Sequence, residues 1–281
     1  MFKSDIGFSD TPVSKGRNIT LNNNLKSQYL TILEKEDKVT AKELKEFLVL
    51  YEEESQGRII FSPNHLLEIY LYQYYLGSEG FEITDMKIHD LYRLMADKYS
   101  KKDRVQEAIE FYEKSLAVNP LDIETRSGLA KVYRRTGKWD LLYKTAEELY
   151  PFCYTSSDLS RYYRILGEYY LETYKPEVSV AAYTYSNFFN PTETADKEIR
   201  FLEKALNKKF VFNNIQELHE ILINESIPLG GKNETLGILY KTGMLELEKN
   251  NTEYACYLLL FLYQLTKDEE TGEILKKFNL V

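Results

Sequence analysis

A segment of this 281-residue chain repeats itself, and that repetition restricts the fold more than any other feature. Asn119-Pro120 returns as Asn190-Pro191, 71 residues later. Counting back from each proline gives one template twice. Before Pro120 stand Tyr92, Met95, Ala96, Tyr99, Ala108, Tyr112 and Ser115; before Pro191, at the same offsets, stand Tyr163, Leu166, Gly167, Tyr170, Ser179, Tyr183 and Ser186. Leu129, Ala130 and Tyr133 continue the pattern 34 residues after Met95, Ala96 and Tyr99. Tyr92, Met95, Ala96 and Tyr99 are spaced i, i+3, i+4, i+7, so they share one helix face. A small residue at Ala96, Ala130 or Gly167 lets a second helix approach closely. Ala108 and Ser179 supply the matching gap on that second helix, and the large rings at Tyr99, Tyr133 and Tyr170 fill the space beside it. Proline then ends each pair, because it cannot continue the backbone ladder. Two copies matching at seven positions, with a third between them, predict stacked helix pairs.

Composition agrees. Glycine (13) and proline (7) are scarce, which suits long helices and short loops better than a turn-rich sandwich or barrel. Hydrophobic residues at 43% suffice for a packed core. Elsewhere, Thr40 with Glu43 forms a capping-box start ahead of a Leu44, Phe47, Leu48, Tyr51 face. Ser62-Pro63 is read as the cap and first-turn proline of a helix ending at Gly77. A further helix is expected from Thr84 or Asp85 to Tyr99. Ile59-Ile60-Phe61 is the only strand-like fragment, too short to seed a sheet. Gly230-Gly231-Lys232-Asn233 reads as a loop with Asn233 capping the next helix. Ala255–Leu265, the most apolar run, has 11 residues, against about 20 for a membrane span. The polar start of the chain has no signal-peptide-like apolar run, so a soluble cytoplasmic protein is expected.

Residues 87–191 resemble the tetratricopeptide-repeat (TPR) family. Glu107-Ala108-Ile109-Glu110-Phe111-Tyr112-Glu113-Lys114-Ser115-Leu116, followed by Asn119-Pro120, is very close to that family's second-helix pattern. The middle copy departs from it, with Leu142 at the usual alanine position, Ala146 at the usual aromatic one and Pro151 early, so its second helix is expected to be short or rotated. Gly243 and Ala255 suggest a degenerate copy at 236–266. The resemblance implies an all-α fold, a TPR-like right-handed superhelix (α-α solenoid) of antiparallel pairs, with about twelve to fourteen helices. The expected organisation is a flexible tail at 1–24, a helical cap or divergent pair at 25–86, TPR-like repeats at 87–191, and degenerate repeats with a C-terminal cap at 192–281.

The resemblance also implies a non-enzymatic scaffold that binds a protein, peptide or partner helix on its concave face. Carried onto this sequence, the peptide-binding positions include Arg93, Asp97, Ser127, Lys131, Arg134, Arg161, Arg164 and Glu168. With Asp90 and Glu124 the concave positions number ten, and five of the ten are basic in a chain of net charge −8, which favours an acidic or carboxylate-bearing segment. Asp97 and Glu168, each four residues after an arginine, are the competing internal partners. The acidic balance disfavours nucleic acid. Two alternatives are a peptide- or ligand-responsive bacterial regulator that sequesters a partner protein, and a self-assembling structural subunit. The 24 tyrosines, among them Tyr70, Tyr72, Tyr74 and Tyr75 in one helix, fit either core rings with hydroxyls at the rim or an aromatic binding surface.

No motif for catalysis, cofactor or metal is found. His65, His89 and His219 lie far apart with no cysteine or acid at ligand spacing. Cys153 and Cys256 form no CxxC pair and are expected to be buried free thiols. The 226–233 segment misses the phosphate-loop pattern at its first glycine and after its lysine. Glu52, Glu53 and Glu54 read as a solvated helix end.

Overall fold

A computed structural model describes residues 17–18, 21–35, 38–77, 80–212 and 214–281. The described residues up to Val132 form one compact unit, and Tyr133–Val281 form another. The division falls inside the 87–191 repeat segment. The first unit holds β1 (Arg17–Asn18), α1 (Asn23–Glu34), α2 (Ala41–Glu54), β2 (Ile59–Phe61), α3 (Leu66–Leu76), β3 (Phe81–Ile83), α4 (Ile88–Lys101), α5 (Val105–Val118) and most of α6 (Ile123–Arg135). The second holds α7 (Trp139–Leu149), a 3-10 turn (Tyr150–Phe152), α8 (Ser156–Glu172) and α9 (Pro176–Phe189). It continues through α10 (Glu193–Leu206), α11 (Ile215–Asn224), α12 (Asn233–Glu248), α13 (Thr252–Thr266) and α14 (Glu269–Lys276). The chain is all-α, and the main pairings are α4 with α5, α8 with α9, and α12 with α13.

The repeat template sits where its spacing places it. Tyr92, Met95, Ala96, Ala108, Tyr112 and Ser115 are buried, as are their counterparts Tyr163, Leu166, Gly167, Ser179, Tyr183 and Ser186. The close approach is direct at Gly167: the Ser179 hydroxyl donates to the Gly167 carbonyl at 2.7 Å. A Cβ on Gly167 would stand 3.0 Å from the Tyr183 ring. Gly243 repeats the arrangement, where a Cβ would meet Leu259 at 2.9 Å and the Ala255 carbonyl at 3.6 Å. In the middle copy α7 is 11 residues long, against 14 for α5 and α9, and Pro151 turns its end into the 3-10 segment.

The turns inside the pairs carry a second repeat that the template does not contain. Arg104, Lys138, Lys175 and Asn251 each donate a backbone N–H to the residue five back, at 2.9–3.0 Å. The residues just before them, Asp103, Gly137, Tyr174 and Asn250, have φ between 58° and 65°. Each also donates to the carbonyl three back, completing a Schellman-type helix end. At the ends of α5 and α9, Asn119 and Asn190 are extended, the conformation that the following proline imposes.

Several expectations are corrected. Ile59–Phe61 is not isolated: β2 and β1 both pair in parallel with β3, with Ile59 opposite Phe81 and Arg17 opposite Glu82. Strands of two and three residues are too short to show an alternating pattern. The expected tail at 1–24 falls mostly outside the described residues, but residues 17–18 are paired in this sheet and Asn22 caps a helix that starts at Asn23. Ser62 does not cap α3, which begins at Leu66 after His65; the Ser62 hydroxyl is buried and donates to the Met86 carbonyl at 2.7 Å. Asn233 is the first residue of α12, and Lys232 holds the cap position, where its side chain does not cap the helix. Both cysteines are free and buried. Among the described residues no helix is long and apolar enough to cross a membrane.

Candidate functional site

The predicted positions of the first unit are Arg93, Asp97, Ser127 and Lys131. Arg93 is not neutralised by Asp97. Its Nη2 donates to Asp90 Oδ1 at 2.5 Å, and its Nε lies 3.9 Å from Asp122 Oδ2. Asp97 instead accepts from the Tyr112 hydroxyl, which reaches it from α5. The Ser127 hydroxyl is spent on the Ile123 carbonyl at 2.8 Å, one turn back on its own helix. Lys131 is exposed, with no ion pair among the described residues.

Arg93 borders a buried polar network that spacing alone does not reveal. His89 is wholly buried, with Nδ1 at 2.8 Å from Ser62 Oγ and Nε2 at 3.0 Å from Asn64 Oδ1. Glu68 accepts from the Asn64 backbone at 2.6 Å and from Asn119 Nδ2 at 3.0 Å. Burial raises the Glu68 carboxyl, against the pull of those donors, and burial lowers His89. The Ser62–His89 pair has no route to a substrate, since neither side chain is exposed. Ser62 and Asn64 sit in the β2–α3 loop, Glu68 on α3, His89 on α4 and Asn119 after α5, so the network binds these elements together. Glu52, read as solvated, accepts from the Tyr92 hydroxyl at 2.8 Å and from Lys114 at 2.9 Å.

The second unit holds Arg134, Arg161, Arg164 and Glu168. Arg134 donates to Glu168 at 2.5 Å, so Glu168 serves the neighbouring repeat rather than Arg164. Arg164 has no carboxylate partner: its Nη2 donates to the Asn190 carbonyl, and its Nε is buried without an acceptor. Burial, and then repulsion from Arg161, lower its guanidinium. The 71-residue register explains this contrast with Arg93. Asp90, the partner of Arg93, corresponds to Arg161. Asp122 corresponds to Glu193, which pairs with Lys197 at 2.9 Å.

The second unit also contains an aromatic cleft of about 220 Å³, lined by Tyr143, Glu147, Tyr150, Tyr162, Leu166 and residues 226–228. The Tyr150 and Tyr162 rings lie 4.9 Å apart at 34°. Tyr162 is 4% exposed, and its hydroxyl has no hydrogen bond among the described residues. The Tyr143 phenol is raised first by burial and then by the nearby Glu147 carboxylate. Glu147 is exposed and makes no ion pair among the described residues. The loop forming the far wall is fixed by Tyr163, whose hydroxyl donates to the Pro228 carbonyl at 2.8 Å and accepts from Gly230 N–H at 2.9 Å. Tyrosine abundance is the one sequence signal for this cleft.

No protein-family model and no curated protein matches the chain. Solved structures do resemble it. The MamA RS-1 ArsTM double mutant is 11% identical, with a TM-score of 0.46 over 73% of this chain and 98% of that one. A second MamA crystal structure is 17% identical, with a TM-score of 0.37 over 69% of this chain and 96% of that one. Superposition at this level assigns neither a family nor a role. Among the described residues, no group of three or more His, Cys, Asp or Glu is arranged to hold a metal ion.

Proposed function

We propose that this chain is a non-enzymatic protein-interaction module that receives a carboxylate-bearing segment of a protein partner at Arg161 and Arg164 on α8. The reading rests on the inverted charge at one repeat position. Arg93 has Asp90 beside it, whereas Arg164 has Arg161 there and only a backbone carbonyl as acceptor. A half-buried guanidinium without a carboxylate gains more from an incoming one than an exposed, already paired cation does. A helical repeat suits the role, because stacked pairs present successive helix faces to an extended ligand. Arg134 lies within reach of the same reading. Its half-exposed pair with Glu168 is of the class worth roughly 0–1 kcal/mol, so exchange with a partner's acid costs little.

The test is affinity capture with the full chain from its native cells, followed by binding of the captured partner to purified protein. Affinity is expected to fall with added salt and to drop in an Arg161→Gln, Arg164→Gln variant that keeps the parent's helical spectrum. Full affinity in that variant would falsify the assignment.

A further inference from the structure

We infer that the tyrosine-lined cleft of the second unit is a binding site for an organic cation, the ammonium or guanidinium head of a lysine- or arginine-like group. Three phenol rings (Tyr143, Tyr150 and Tyr162) line one small space. Aromatic faces carry negative potential and attract cations placed over them. The carboxylate at the rim, Glu147, has no cationic partner among the described residues. A second carboxylate close to Tyr143, Glu225, is held by Lys175 at 2.6 Å and so does not compete for the ligand. The remaining lining, Leu166, Ile227 and Pro228, is apolar and suits the methylene stem of such a side chain. At about 220 Å³ the cleft is below the roughly 300–1,000 Å³ typical of larger ligands, which fits a single side-chain-sized group. The Tyr162 hydroxyl, unpartnered on an almost fully buried ring, is left to meet the ligand or its hydration water. The site is chemically opposite to the Arg161/Arg164 pair and stands independently of it.

The reporter is built in. Trp139, the only tryptophan, precedes Tyr143 by four residues on α7 and so lies one turn away on the same face. The full chain is titrated with N-acetyl-arginine amide, N-acetyl-trimethyl-lysine amide, tetramethylammonium and the neutral N-acetyl-norleucine amide. Binding is followed by Trp139 emission and by calorimetry. The two cationic amides are expected to saturate and norleucine amide not to. Tyr143→Leu and Glu147→Gln should each weaken binding by about 5- to 30-fold, the range expected for a desolvated cation–π or charge contact, while Tyr143→Phe keeps the ring and stays near the parent. Tetramethylammonium binding as tightly as the amides would support the cation site and identify a free small ammonium as its source. Tighter binding of the amides would support it and identify a partner's side chain. Equal binding of norleucine amide, absence of saturation by every cation, or a Glu147→Gln variant that binds like the parent would overturn the inference. Glu147→Gln should leave capture of an acidic partner unchanged, so this site and the arginine pair can fail separately.

Discussion

The contact between Gly167 and Tyr183 gives a stability prediction whose sign depends on a second residue. An ideal Cβ at position 167 stands 3.0 Å from three atoms of the Tyr183 ring, while comfortable carbon–carbon contact is about 3.5–4.0 Å. The ring is 2% exposed and cannot swing into solvent. Relief therefore means moving α9 away from α8, which stretches the 2.7 Å bond from Ser179 to the Gly167 carbonyl. Overpacking by a methyl costs roughly 1–3 kcal/mol, and weakening the hydrogen bond adds about 0.5–1.5 kcal/mol. Alanine's helix propensity returns about 1 kcal/mol. The net expectation for Gly167→Ala is a loss of about 0.5–3.5 kcal/mol, and Gly167→Leu, with three more carbons, loses more. With Tyr183→Ala in place both the ring and any side chain long enough to reach position 167 are gone, and Gly167→Ala should become neutral or stabilising by up to about 1 kcal/mol. Equilibrium urea unfolding followed by Trp139 fluorescence is a suitable assay, because Trp139, Gly167 and Tyr183 all belong to the second unit. A Gly167→Ala cost that is the same in both backgrounds would refute the packing argument and the repeat register behind it.

Three further outcomes follow from the structure. Tyr174 is 92% exposed with φ 61°, so Tyr174→Gly should relieve about 1–2 kcal/mol of left-handed strain; after the chain-entropy cost of glycine a net gain of about 0.5–1 kcal/mol remains, and a lower melting temperature would contradict it. His65 is lowered to about 4, first by burial and then by Lys87, whereas an unfolded histidine takes its proton near 6.5. The unfolded state thus binds more protons between these values, so His65 makes stability fall as pH drops from about 6.5 toward 4; His65→Gln should flatten that part of the stability–pH curve, and an unchanged slope would refute it. Arg93→Gln leaves Asp122, 4% exposed, short of its cation and should cost roughly 2–4 kcal/mol, whereas Arg134→Gln, at an exposed pair, should cost less than about 1 kcal/mol by the same unfolding assay.

The helix pairs are readable from sequence because one small residue and one large one recur at fixed offsets. Ala96 and Tyr112, Gly167 and Tyr183, and Gly243 and Leu259 are each sixteen apart, and chain connectivity alone brings such partners together across a three-residue turn. The turn itself is not readable. Its left-handed residue is usually glycine, yet here it is Asp103, Tyr174 and Asn250, with glycine only at Gly137. Tertiary pairing of the flanking helices overrides local preference at those positions. The small sheet escapes notice for a related reason: Phe61 and Phe81 are core residues that Tyr72 covers at 4.4 and 4.7 Å, and two- and three-residue strands carry no periodic signal.

The site is harder to read than the fold, and the arginines show why. Helical spacing correctly places Arg93 and Arg164 at one position of two repeats, and it nominates Asp97 and Glu168, four residues on, as their internal partners. Neither pairing forms. Asp97 is taken by the Tyr112 hydroxyl and Glu168 by Arg134, both from other helices. What distinguishes the two arginines is the residue three before each, Asp90 in one copy and Arg161 in the other, together with Asp122, which lies beyond the end of the pair. An exposed i, i+4 pair is worth only about 0.2–0.5 kcal/mol, so any partner that another element holds in place displaces it. Face and register are properties of one helix and can be counted along the chain. Charge state at a site depends on which neighbouring element arrives there, and in this protein that element turns one copy of a repeated arginine into a structural tie while leaving the other without a carboxylate.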